Sequence, residues 1–369
     1  MNSTVFIVFG ILASTVMGSS LAAEPEQARP NIVFFLVDDL GWRDGGCFGS
    51  RFYETPNVDR LAKEGMRFTD AYAACHVCSP TRASILTDKY PARLGLTDWI
   101  AGRRDFPFQK LKNVRGLQRL PLEETTLAET LRQHGYRTAA IGKWHLGADP
   151  SGPTAHGFDV DIPPGHSSGG PRTYHAPFQL RGIEEDTIVV FFANNGGMSA
   201  ANFGNPKRVI ARNRLDQAYA SSNLPLRGAK EWLYEGGVRV PMIVKWPGRT
   251  ESGSVCAEPV ISTDFYPSLL EMAGLPARPE QTLDGTSLVP ALAGKPFERG
   301  AIYWHFPHYS NHGMQSPGGA IRLGDYKLLE YFENGSIQLF NLKEDIGEQH
   351  DLSREEPERA ARLLAMLHA

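Results

Sequence analysis

Cysteine is scarce in this 369-residue chain. There are four, Cys47, Cys75, Cys78 and Cys256, too few for a disulfide-built scaffold. If one is consumed by modification, at most one bridge remains. A dominant charge is lacking too. Lys and Arg number 38 and Asp and Glu 41, a net charge of −3, which argues against a nucleic-acid binder working through a broad basic surface. Internal repeats and heptads are absent, which excludes a solenoid or a coiled coil. No apolar run reaches membrane-spanning length. Val5 to Met17 has about the length of a signal-peptide core, and Ser20-Leu21-Ala22-Ala23 offers small residues for cleavage. Residues 1–23 therefore read as a signal peptide, although Met1 to Thr4 lacks Lys and Arg. The expected protein is exported, periplasmic or extracellular, with no stable membrane span.

What is present fits one large α/β domain with a small appendage. Asn31 to Val37 is a continuous apolar run after Pro30, the mark of a buried parallel strand. It ends in Asp38-Asp39-Leu40-Gly41. Two adjacent carboxylates at a strand's carboxyl end are costly unless something positive sits there, and hard oxygen ligands suit Ca²⁺ or Mg²⁺. A solvated turn is the plainer alternative for the motif standing alone. Cys78-Ser79-Pro80-Thr81-Arg82 reads as the mouth of a helix. Ser79 is the expected N-cap and Pro80 the first helical residue, with Cys78 just before the first turn. That place would lower a thiol pKa, and Arg82 adds a permanent cation suited to an oxyanion. Cys75 and Cys78 also make a C-x-x-C, so a structural or redox cysteine is the alternative.

Leu122 to His134 reads as an amphipathic helix closed by Gly135. The strand Tyr136 to Gly142 then delivers Lys143-Trp144-His145, whose Lys and His would share one side of an extended segment. A cation there can hold an oxyanion, and an imidazole can move a proton. Residues 152–177 are a Gly/Pro/Ser/His-rich loop with His156, His166 and His175 unassigned. Glu185 to Phe192 is the next core strand and ends in Ala193-Asn194-Asn195-Gly196-Gly197. Arg227, Lys230 and Arg239 punctuate a glycine-rich loop. Beyond Gly300 come short strands with Gly/Asn turns, then a last helix for which Ser353 and Glu356 would form a capping box.

Cys-x-Pro-x-Arg with its apolar pair and Thr87, Gly135-Tyr136 through Gly142-Lys143-Trp144-His145, and Leu224 to Pro241 together resemble the formylglycine-dependent, arylsulfatase-like sulfatase family of the alkaline-phosphatase-like superfamily. The likeness runs through nearly the whole chain in the right order. It implies a large, mostly parallel central sheet flanked by helices over residues 30–297, and a small antiparallel sheet-plus-helix subdomain over 298–369. It also implies conversion of Cys78 to formylglycine by a formylglycine-generating enzyme. A divalent metal, Ca²⁺ or Mg²⁺, would sit at Asp38, Asp39, Cys78, Asn194 and Asn195. Arg82, Lys143, His145 and Lys230 would serve catalysis, and the substrate would be a sulfated small molecule or glycan.

Two departures stand out. Asn194 occupies the place of a family Asp. The chain is also shortened around residues 178–183, where relatives carry a further strand, a second active-site His and a helix. The implied reaction is hydrolysis of a sulfate ester to alcohol and inorganic sulfate. The alternatives are a catalytically impaired homologue that binds sulfated glycans, and a phosphodiester or phosphonate hydrolase on the same scaffold.

Overall fold

The computed structural model describes residues 29–162, 183–198, 221–278, 280–311 and 314–369. The expected signal peptide, His166, His175 and most of the shortened stretch lie outside these residues. In chain order the elements begin with β1 (Asn31–Val37), α1 (Pro56–Glu64), β2 (Met66–Phe68), β3 (Ala71–Tyr72), α2 (Cys78–Thr87) and α3 (Pro91–Leu94). Next come α4 (Leu127–Gln133), β4 (Ala139–Ile141), β5 (Val160–Ile162), β6 (Thr187–Ala193), α5 (Glu235–Val238) and β7 (Met242–Lys245). The remainder is β8 (Val255–Cys256), β9 (Val260–Ile261), α6 (Phe265–Met272), α7 (Val289–Leu292), β10 (Ile302–Phe306), β11 (Gly318–Leu323), β12 (Tyr326–Tyr331), β13 (Ser336–Asn341) and α8 (Pro357–His368).

The central sheet runs β1-β6-β7-β2-β8. The β1–β6 and β2–β8 pairs are parallel, and the β6–β7 and β2–β7 pairs antiparallel, so the sheet is mixed. The parallel β1–β6 pair is the part that builds the site. Its register sets Asn31 against Thr187 and Val37 against Ala193. Asp38-Asp39 and Asn194-Asn195 therefore leave the sheet side by side. The β6 run Thr187-Ile188-Val189-Val190-Phe191-Phe192 is β-branched and aromatic, as a buried strand requires. Ile188, Val190 and Phe192 join Phe68, Met242, Val244, Phe265 and Leu269 in one core. The rings of Phe34 and Phe192 each meet Phe265 of α6 edge-on at 4.8 Å. Truncating a fully buried ring such as Phe192 would cost about 3–5 kcal/mol.

Strand β1 is less buried than its composition suggests, and Phe35 is 37% exposed. Among the described residues β1 pairs on the β6 side, while β4 and β5 form a separate two-stranded parallel sheet. The paired Ile141 and Ile162 of that sheet are 61% and 53% exposed. Among the described residues, apolar surface thus lies bare on β1 and on the β4–β5 pair.

The C-terminal elements form an antiparallel sheet β10-β11-β12-β13 with α8 on one face, packed through Ile321, Leu328, Leu339, Ala360 and Leu363. The other face meets the main body through Trp304, Phe306, Ala74 and Val77. A buried charge cluster crosses that junction. Lys327 pairs with Glu235 at 2.8 Å and Glu348 at 3.2 Å, Arg239 with Asp70 at 2.7 Å and Glu235 at 3.3 Å, and Arg322 with Asp70 at 2.7 Å.

Several local expectations differ. Ser353 is not the cap of α8, which starts at Pro357 after Glu356 with no side-chain cap bond. Pro at the first helical position supplies the start instead. The helix expected from Leu122 begins at Leu127, where Thr126 and Glu129 make a full capping box.

Candidate active site

Two strand ends, one helix mouth and two loops meet at a single place. Asp39 leaves β1 with φ +55°, a left-handed turn that Asp tolerates better than most residues and that separates the two carboxylates. Helix α2 begins two residues earlier than expected. Val77 is its N-cap in extended geometry, Cys78 is already helical and Pro80 falls at the third position. Cys78 is 3% exposed. Its Sγ lies 3.9 Å from Asp39 Oδ1, 3.4 Å from Lys143 Nζ and 3.6 Å from Lys230 Nζ.

Each carboxylate has its own lysine. Lys143 Nζ donates to Asp38 Oδ2 at 2.5 Å, and Lys230 Nζ donates to both oxygens of Asp39 at 2.8 Å. Arg82 donates to Asp38 Oδ1 at 3.4 Å and to the carbonyl of Lys143 at 2.7 Å. Asn194 Nδ2 donates to Asp38 Oδ1, and Asn195 Nδ2 donates to Asp39 Oδ1 at 2.8 Å. All the residues singled out at the two strand ends and the helix mouth are therefore brought together, with Lys143 and Lys230.

The electrostatics follow from this packing. Burial opposes the charge on Asp38, but Arg82 and Lys143 outweigh it and hold the carboxyl well below its usual range. Burial disfavours charged Lys230, yet Cys78 and Asp39 beside it raise its pKa. The Cys78 thiol moves up, not down as the helix mouth alone suggests. Burial is the main cause, and Asp38 and Asp39 outweigh part of what Lys230 gives back. A plain thiolate is not what these surroundings favour.

His145 takes a different position from the one its spacing implies. Its backbone is left-handed, φ +58°, so it does not alternate with Lys143 as on a strand. Its Nε2 bonds the carbonyl of Ile100 at 2.6 Å, and burial, with Lys143, lowers its pKa. His156 is buried in a short turn with its ring against Trp144, outside the site. Arg239 pairs with acids, whereas Arg227 donates to the carbonyl of Glu348 and covers the Tyr234 ring. The four cysteines are free thiols.

Sequence reasoning missed the support behind Lys230 and His145. Glu231 follows Lys230 with φ +72° and accepts from Arg103 at 3.3 Å and from the Asn311 backbone at 2.8 Å. Arg103 also pairs with Asp98 at 2.9 Å, and the 98–103 segment supplies the Ile100 carbonyl that holds His145. Ile100 N in turn donates to Ser79 Oγ on α2 at 3.1 Å. No local pattern marks Arg103. Its role comes from pairing across 128 residues.

The site fits a divalent cation. Oxygens of Asp38 and Asp39 and the Cys78 sulfur all lie within 4.8 Å of one another. Asn195 Oδ1 is buried with no partner among the described residues, an oriented acceptor open to a positive group. The donor set is oxygen-rich, as Ca²⁺ and Mg²⁺ prefer.

The family model described as Sulfatase matches residues 30–167 and 178–275. The chain belongs to the sulfatase family. A second model, N-sulphoglucosamine sulphohydrolase C-terminal, matches residues 229–369. Human arylsulfatase A is 30% identical over 427 residues, covering 86% of this sulfatase and 78% of the relative. Dog N-acetylgalactosamine-6-sulfatase is 28% identical, covering 86% and 74%. The crystal structure of Ps i-CgsB superposes with TM-score 0.72 at 24% identity, covering 92% of each chain, which shows the shared fold. The family's enzymes are sulfuric ester hydrolases, and sulfate-ester hydrolysis is the reaction class of this chain. The match to human arylsulfatase A spans more residues than this chain contains, so the relative carries internal stretches absent here.

Proposed function

We propose that this sulfatase hydrolyses its ester through formylglycine made from Cys78. The observation that carries the reading is the convergence of two lysines on the Cys78 sulfur, Lys143 at 3.4 Å and Lys230 at 3.6 Å, beside paired carboxylates. Formylglycine supplies, as its hydrate, one hydroxyl to attack sulfur and a second to release product, and a divalent cation held by Asp38, Asp39, Asn194, Asn195 and residue 78 supplies Lewis acidity.

The chain's own groups do the rest. Lys143 and Lys230 flank the nucleophile and hold the sulfate oxygens, with Arg82 steadying Asp38 and the Lys143 carbonyl. His145, anchored through Nε2, presents Nδ1 as a proton acceptor; that atom is buried and has no partner among the described residues. Its lowered pKa keeps the imidazole neutral and able to accept. Because Cys78 is 3% exposed, a formylglycine-generating enzyme must reach it before the fold closes. Residues 30–297 would form the catalytic domain and 298–369 the accessory one. Residues 1–23 would direct export.

The dog relative's name specifies a sulfated amino sugar, and a sulfated glycan or smaller sulfate ester is the substrate class we infer. Asn194 motivates a second reading, in which the protein binds such glycans with impaired turnover: an amide ligand brings one negative charge fewer to the cation. The deciding experiment is intact-mass analysis of the Cys78 peptide together with an aryl sulfate assay with and without chelator. Formylglycine with chelator-sensitive turnover supports hydrolysis. Formylglycine without turnover supports the binding reading, and an unmodified thiol in active protein overturns the nucleophile.

A further inference from the structure

The segment that roots His145 and Lys230 continues into an unusual stretch of surface. From Arg104 to Arg115 it carries four basic residues, Arg104, Lys110, Lys112 and Arg115, against the single acid Asp105, in a chain whose net charge is −3. Two phenylalanines stand among them. The rings of Phe106 and Phe108 stack at 5.4 Å and 10° and are 39% and 63% exposed. Exposed stacked aromatics flanked by cations are costly to leave in water unless they meet something.

The stretch is built, not loose. Asn113 donates from its backbone to Asp105 Oδ1 at 2.9 Å and from Nδ2 to the Arg104 carbonyl at 3.1 Å, which folds the strand of residues back on itself. Phe106 N donates to Gln109 Oε1 at 3.0 Å. Tyr309 of the C-terminal part accepts from Lys110 N and Leu111 N, and Lys110 Nζ pairs with Glu333 at 3.0 Å. Lys110 is thereby used as an anchor. Arg104, Lys112 and Arg115 are exposed and have no carboxylate partner among the described residues.

Its position is bounded by the chain. Ile100 touches His145, and four residues extend at most roughly 14 Å, so Arg104 lies within that distance of the His145 anchor. Lys112 is held beside Arg104 by the Asn113 bonds.

We propose that Arg104, Phe106, Phe108, Lys112 and Arg115 form a second anion-binding surface, which holds an oligosaccharide carrying sulfates beyond the one being hydrolysed. The aromatic faces suit the C–H face of a sugar ring, and the cations suit its further sulfates. The charge reversal of this patch against the rest of the chain favours a polyanion over a neutral glycan. The surface rests on the sulfatase reading for the place of the reacting sulfate.

The test uses the full chain, a size-defined heparin tetrasaccharide, its fully desulfated counterpart and p-nitrophenyl sulfate. In an Arg104→Gln/Lys112→Gln/Arg115→Gln variant, kcat/KM for the tetrasaccharide relative to p-nitrophenyl sulfate falls about tenfold, through KM, because three rim contacts and their salt dependence are lost. A Phe106→Ser/Phe108→Ser variant, with a melting curve as the folding check, lowers the same ratio. An unchanged ratio in both variants overturns the surface. Should neither compound be turned over, the Cys78→Ala protein still decides the matter by direct binding. Tighter binding of the tetrasaccharide than of its desulfated form, weakened by the glutamine substitutions, supports the surface even though hydrolysis has failed. No binding, or equal binding of both forms, overturns it, as does weakened binding of a single-stranded oligonucleotide with the tetrasaccharide unaffected.

Discussion

Two charge clusters of the molecule are made from the same residue types, and they behave differently. At the junction with the C-terminal sheet, Asp70, Glu235 and Glu348 face Arg239, Arg322 and Lys327, three acids against three bases, each paired. At the candidate site, Asp38 and Asp39 face Arg82, Lys143 and Lys230. The first cluster is balanced and closed. The second carries surplus positive charge and, among the described residues, keeps unpartnered buried atoms, Arg82 Nε, Asn195 Oδ1 and His145 Nδ1. Ion pairs alone therefore do not mark the site; a charge surplus beside a sulfur does, together with buried polar atoms left open to a ligand.

The sharpest break between the clusters is chemical. Cys78→Ala should abolish sulfate-ester turnover, by at least about 10⁴-fold, while leaving the urea unfolding midpoint near that of the parent. Loss of both together would mean that Cys78 serves the fold. The converse holds for Lys327→Met, which strands Glu348 without a cation and leaves Glu235 only Arg239. It should destabilise the protein by about 3–5 kcal/mol in urea unfolding, and a cost below about 1 kcal/mol would show the junction to be no true ionic core. Asn194→Asp tests the surplus directly. Adding a carboxylate should tighten Ca²⁺ binding about tenfold in calorimetric titration, and unchanged or weaker binding would remove Asn194 from the metal's surroundings.

The most gradual effect is a pH dependence at the junction. Burial is the main cause that pushes Glu348 up, to about 7 from an ordinary 4.5; Glu235 adds to it and Lys327 opposes it. The folded state then holds a proton that the unfolded chain releases. Stability should fall as pH rises from about 4.5 through about 7, by no more than about 1.4 kcal/mol per pH unit. Glu348→Gln should flatten the unfolding midpoint across that window, and an unaltered slope would assign the titration to another group.

Much of the site was legible because its residues sit at strand ends, where apolar runs stop at Asp38-Asp39 and Asn194-Asn195. The central strand pair and the antiparallel C-terminal sheet were legible for the same reason of pattern. The start of α2 was misjudged by two residues, since Ser79 and Pro80 mimic a cap while Val77 supplies the extended turn. The thiol's direction was misjudged because helix position is local and burial is not. His145 looked like the partner of Lys143 by spacing, but a left-handed backbone turns it toward Ile100. The junction cluster could not be read at all. Its members lie at 70, 235, 239, 322, 327 and 348, and only the tertiary fold brings them into contact.

The parallel register of β1 and β6 has one more consequence. Both strands are seven residues long and end level, Val37 against Ala193. Side chains alternate faces along a strand, so one inserted or deleted residue in either would turn its polar pair away from the other. Length can therefore drift in the connections but not in these two strands. Human arylsulfatase A carries internal stretches absent here, while in this chain β6 stays in step with β1, so the two strands behave as a ruler against which the rest of the sequence is free to change.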